Sequence, residues 1–188
     1  MKKFISIIAL VVALTVSAYA QETKASEPAS KSTTVEFLAK DGALLQKDFY
    51  ELGAVKGVDC EVLIITDIVA GTKVGCVRLE TSYRGQYTSD TYVGTLDADE
   101  LDACIKSLQY IKNNVLNTSP SNYVEYTYAT KDGVTIGAFY NQTKSSWTTY
   151  VRTKSYTSRS AEYFSSENIN SLIEKLESGK AMINERLR

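Results

Sequence analysis

Residues 87–115 read YTSDTYVGTLDADELDACIKSLQYIKNNV, and a change of period inside this stretch decides the fold. As far as Leu96 the chain is rich in Thr and Tyr, the composition of a strand. From Asp97 the spacing lengthens. Leu101, Cys104, Ile105, Leu108, Ile111 and Val115 recur at steps of three and four, one apolar stripe on an amphipathic helix. Asp97 stands where a helix cap belongs, and Glu100 follows at capping-box spacing.

Strands precede this junction. Leu44 to Leu52, Val58 to Val69, Val74 to Ser82 and Tyr87 to Leu96 read as four in succession, with a turn at Ala70-Gly71-Thr72-Lys73. The order recurs after the connector Asn117 to Asn122. Tyr123 to Thr130, Val134 to Asn141, Trp147 to Tyr156 and Arg159 to Phe164 read as strands. A helix capped at Ser165 or Ser166 follows, with the stripe Ile169, Leu172, Ile173, Leu176, Ile183 and Leu187. Gly179 interrupts it, which marks a bend or a close contact.

The expected class is α+β: antiparallel sheets with two amphipathic helices on one face and the other face open. The two halves, 35–117 and 122–188, read as a tandem duplication of a strands-then-helix unit within one domain. A shift of 62 residues sets Val62 on Val124, Gly71 on Gly133, Gly75 on Gly137 and Thr81 on Thr143. With six residues inserted, Asp97 falls on Ser165 and Leu101 on Ile169.

The N-terminus carries a separate message. Lys2 and Lys3 precede an apolar run, Phe4 to Val16, and Ser17-Ala18-Tyr19-Ala20 offers a small-residue cleavage site. This is the layout of a secretory signal peptide over 1–20, and the run is short of the roughly 20 residues a membrane span needs. Export, to the periplasm or outside the cell, is expected, with no membrane span after cleavage. Residues 21–34 are small and polar and read as a flexible tether, the folded domain being 35–188.

Composition narrows the chemistry. The chain has no His, which removes Ser-His and Cys-His catalysis and His-ligated zinc. Lys2 and Lys3 belong to the signal, so 21 basic residues become 19 against 22 acidic, a net charge of −3. A nucleic-acid partner is not expected from that balance. Asp97, Asp99, Glu100 and Asp102 lack the pattern of a calcium loop and suit a helix N-terminus, so neither a metal nor any other cofactor is expected. On the first hairpin, folded at Gly71-Thr72, Cys60 falls opposite Tyr83 on the core face and Cys76 on the other. Cys104 lies on the helix stripe that covers the first face. The expectation is a Cys60–Cys104 disulfide or three free thiols.

Alternation along Trp147 to Tyr156 turns Trp147, Thr149, Val151, Thr153 and Ser155 to the core. It turns Tyr150, Arg152, Lys154 and Tyr156 to solvent as an aromatic and basic ladder. Such a face suits a glycan or an envelope protein. The expected function is therefore non-catalytic binding through these four residues. A structural or assembly role in the envelope is the alternative, and a carboxylate-based hydrolase ranks third.

Overall fold

A computed structural model describes residues 31–188; the expected signal peptide, 1–20, and residues 21–30 of the expected tether lie outside them. The described residues form two four-stranded antiparallel sheets and three α-helices. Helix α1 (Thr33–Leu38) precedes β1 (Leu45–Val55), β2 (Val58–Asp67), β3 (Thr72–Arg84) and β4 (Ser89–Asp97), which make the first sheet in chain order. Helix α2 (Leu101–Tyr110) runs on into a π-helical turn, Ile111–Val115. The second sheet, β5 (Glu125–Ala129), β6 (Thr135–Asn141), β7 (Ser146–Arg152) and β8 (Ala161–Ser165), is again in chain order. A 3-10 turn headed by Ser165 leads into α3 (Ile169–Arg186).

One continuous core joins both units. Val62, Ile64, Val77 and Leu79 of the first sheet share it with Ile136, Ala138, Trp147 and Val151 of the second, and with the apolar stripes of α2 and α3. The helices are not each confined to their own unit. Helix α3 lies across β1, β2 and β3 of the first sheet. Gly179 makes this possible: a Cβ there would stand 2.7 Å from Val77 Cγ2 and 3.1 Å from Leu52 Cδ1. The glycine thus marks a close contact; α3 continues through it unbroken.

Two expectations at the N-terminal side change. The tether does not extend to residue 34, because Ser32 and Thr34 are buried and α1 begins at Thr33. Asp97 is a cap, but its carboxylate serves α1 and not α2. It accepts from the Ser32 hydroxyl at 3.0 Å, from Thr33 N–H at 2.7 Å and from Thr34 N–H at 3.2 Å. Half of the capping box survives: Glu100 Oε2 accepts the Asp97 N–H at 3.0 Å. Helix α1 lies on the outer face of the first sheet, where Phe37 packs against a small cluster of Leu63, Ile65 and Cys76. That face is therefore partly covered, while no helix lies on the outer face of the second sheet among the described residues.

The two units repeat as expected in element order, but not at a shift of 62. That shift lays β2–β3 on β5–β6, one strand out of step. Sheet register gives 74: every pair of β6–β7 has its counterpart in β2–β3, Thr135↔Arg152 matching Glu61↔Arg78 and Ile136↔Val151 matching Val62↔Val77. The turns agree in detail. Asp67 Oδ1 accepts Ala70 N–H at 3.0 Å, and Asn141 Oδ1 accepts Lys144 N–H at 3.0 Å, 74 residues on in each case. Gly71 and Ser145 close these turns in the left-handed region, at φ +67° and +49°.

The cysteines are three buried free thiols. The first hairpin closes on a four-residue loop, Ile68 to Gly71, so Cys60 faces Leu79 and not Tyr83. The slip is an even number of residues, which keeps every side chain on its expected face. Cys60 and Cys104 share the main core, and Cys76 lies under α1. Burial pushes all three thiols up to about 12. The folded protein should therefore resist alkylation at pH 8, and unfolding in denaturant should expose three reactive thiols without reductant. A Cys60–Cys104 peptide in a non-reducing digest would contradict this.

Candidate functional site

Register decides what the open face of the second sheet presents. Outward-pointing residues align across the strands in rows: Glu125, Phe139, Thr148 and Ser165; Thr127, Gly137, Tyr150 and Tyr163; Ala129, Thr135, Arg152 and Ala161. Gly137 is the low point of the second row. A Cβ there would meet the Tyr126 carbonyl oxygen at 2.0 Å, so only glycine lets β5 approach this closely. Beside it the Tyr150 side chain reaches across to Thr127 and Glu125 on β5.

The result is an aromatic hollow of about 260 Å3 lined by Tyr123, Glu125, Phe139, Tyr150, Arg152 and Tyr163. Phe139, Tyr150 and Tyr163 pack ring against ring at centroid distances of 6.1–6.3 Å, and Tyr123 stacks on Phe139 at 6.2 Å. Tyr150 forms the floor, at 3% exposure, while Tyr123 and Tyr163 stand half open at 58% and 52%.

Polar groups sit at the two ends of the hollow. At one end Glu125 accepts the Tyr150 and Tyr123 hydroxyls, each at 2.7 Å. These bonds, Tyr150 first, hold the Glu125 carboxyl below its ordinary pKa. Their stabilising effect is present above the ordinary Glu pKa and fades as pH falls through the lowered one. Burial pushes the Tyr150 phenol up to about 12, so it stays a donor. At the other end the Arg152 guanidinium lies 5.9 Å from the Tyr150 ring centre.

The expected ladder is thus only partly a surface. Tyr150 is a floor, not an exposed aromatic, because neighbouring strands supply its cover. Lys154 is committed to Asp132, at 3.3 Å, and that carboxylate also accepts from Thr95. Tyr156 lies beyond the end of β7 in a turn and is 80% exposed, apart from the hollow. Of the four, Tyr150 and Arg152 are brought together. Tyr123, Glu125, Thr135, Phe139 and Tyr163 were not singled out from sequence. Alternation could place each on a face, but only cross-strand register shows that they meet.

Two other groups of carboxylates are engaged by the protein itself. Asp97, Asp99 and Glu100 lie close enough to share an ion. However, Asp97 holds α1, Asp99 pairs with Lys131 at 2.7 Å, and Glu100 also accepts Lys131 N–H at 2.7 Å. On the first sheet Glu61 and Glu80 both bind Arg78, at 2.6 and 2.5 Å. No described helix is long and apolar enough to cross a membrane. Comparison with known proteins returned no matching family model, no similar curated protein and no similar solved structure.

Proposed function

We propose that this is an exported, non-catalytic binding protein that holds a sugar ring of a glycan in the aromatic hollow of its second sheet. The observation that carries the reading is the hollow itself: four aromatic rings on an otherwise polar strand face, with hydroxyls, a carboxylate and a guanidinium at its rim. Sugar rings present C–H patches that pack on aromatic faces and hydroxyls that exchange hydrogen bonds with such a rim. The N-terminal signal layout supports export, where glycans are the common polymers to meet.

A glycan array tests this. The wild-type chain should be retained by a restricted set of glycans. Tyr163→Ala with Tyr123→Ala should lower retention at least tenfold while leaving the thermal midpoint nearly unchanged, because both side chains are half exposed. Retention of the double variant equal to wild type, or no retention of either, would refute the reading.

An assembly role in the envelope has one observation in its favour. Strand β5 is a sheet edge, and a groove of about 360 Å3 between it and α2, lined by Tyr110, Ile111 and Tyr126, runs alongside. An edge of this kind can take up a further strand. Concentration-dependent mass in sedimentation equilibrium, abolished by a charge at Thr127, would favour that role.

A further inference from the structure

The 74-residue repeat sets Arg152 of β7 on Arg78 of β3, and the surroundings of these two arginines differ in one chemical respect. Arg78 is neutralised twice, by Glu61 across the strand pair and by Glu80 on its own strand. The positions equivalent to Glu61 and Glu80 are Thr135 and Lys154. The second unit therefore keeps the arginine and has neither carboxylate. Arg152 has no carboxylate within 4 Å and no side-chain hydrogen bond among the described residues. Its Nε–H is buried without a partner, and so is the Thr135 hydroxyl. These are the two such atoms among the described residues, and they belong to residues paired across β6 and β7. Buried polar groups left unmet are costly, and Arg152 itself lines the hollow, so its unpaired guanidinium points to something that binds there.

We infer that the ligand of the hollow carries a carboxylate, which occupies beside Arg152 the place that Glu61 and Glu80 occupy beside Arg78; the bound unit is an acidic sugar. This rests on the glycan reading of the same hollow. Arg152 lines the hollow, and its guanidinium fork suits a carboxylate bidentately. Glu125 sets the direction. Its ionised carboxylate lies at the far end, tied to Tyr123 and Tyr150, and repels a second negative charge toward Arg152. The sugar ring then lies over Phe139 and Tyr163 between the two ends.

The test is a titration of the 15N-labelled chain with glucuronate and with glucose, which differ only in carboxylate against hydroxymethyl. The galacturonate and galactose pair follows. The readouts are the Arg152 Nε–H resonance and the ring resonances of Phe139 and Tyr163. An acidic sugar should move both sets and bind at least tenfold more tightly than its neutral partner. Arg152→Lys, which keeps the charge and loses the fork, should narrow that gap, and Arg152→Gln should close it. Equal affinity for acid and neutral sugars would overturn the inference and leave the glycan reading standing. No response to either pair, where the array also retains nothing, would overturn both. Acetate moving Arg152 as strongly as glucuronate, with the rings unmoved by any sugar, would show an anion site only and would also overturn the inference.

Discussion

A chain ending at Thr118, which keeps the whole first sheet and α2, should fail to fold cooperatively. The reason lies in where α3 sits. Ile169, Leu172, Ile173, Leu176 and Ile183 are buried, and the helix that carries them covers β1, β2 and β3. Burying one such side chain contributes roughly 1.5–3 kcal/mol, so five contribute on the order of 10 kcal/mol. A whole domain has a net stability of only about 5–15 kcal/mol. Further ties are lost with the second unit. Thr81 bonds Thr153 at 2.8 Å, and the Thr95 carbonyl accepts the Thr130 hydroxyl at 3.2 Å. Urea titration followed by circular dichroism should show no sigmoidal transition for this half-chain, and adding residues 119–188 in trans should restore one. A cooperative transition in the half-chain alone would mean that the units are independent domains.

Gly179→Leu should be the most damaging single substitution on α3. Glycine inside a helix costs about 1 kcal/mol relative to alanine, so a contact must favour it here. That contact is the approach to Val77, where even a Cβ would lie at 2.7 Å. A leucine side chain has to displace α3 from the sheet, and overpacking of this kind costs about 3 kcal/mol or more. For a chain of this size that corresponds to a fall in Tm of about 10 °C. Gly179→Ala should fall between, because the helix preference of alanine offsets part of the clash. A leucine variant as stable as wild type would mean that α3 does not pack against β3 as described. The exposed Lys144, placed in a turn, gives a control substitution with little effect expected.

Periodicity made the elements legible. The switch from period two to period 3.6 at Asp97 located α2, and alternation from Trp147 onward placed Trp147, Thr149, Val151 and Thr153 in the core, where they are, but also Ser155, which is exposed in the turn beyond β7. What was not legible depends on partners distant in sequence. Helix α1 is only six residues long, and its anchor, Asp97, lies 64 residues from Thr33. No local pattern shows that link. The repeat was visible, but its shift was misread because glycines recur in turns without marking equivalent ones. Gly71 and Gly133 both have positive φ, yet they close different hairpins, and the true counterpart of Gly71 is Ser145.

The candidate site was half legible for the same reason. Tyr150 and Arg152 stand on one strand and could be read from it. Their neighbours Phe139, Tyr163 and Glu125 come from three other strands, and the adjacent rows that bring them together exist only once register is fixed. Lys154 and Tyr156 followed the alternation past the point where β7 ends at Arg152.

As proposed, the second sheet's aromatic hollow is where this protein holds a sugar ring. Intermolecular NOEs between the bound chain and a glycan retained on the array test it most directly. NOEs are expected from sugar ring protons to Phe139, Tyr150 and Tyr163, lost in the Tyr123→Ala and Tyr163→Ala double variant. NOEs confined instead to Tyr110 and Tyr126, in the groove between α2 and β5, would contradict it.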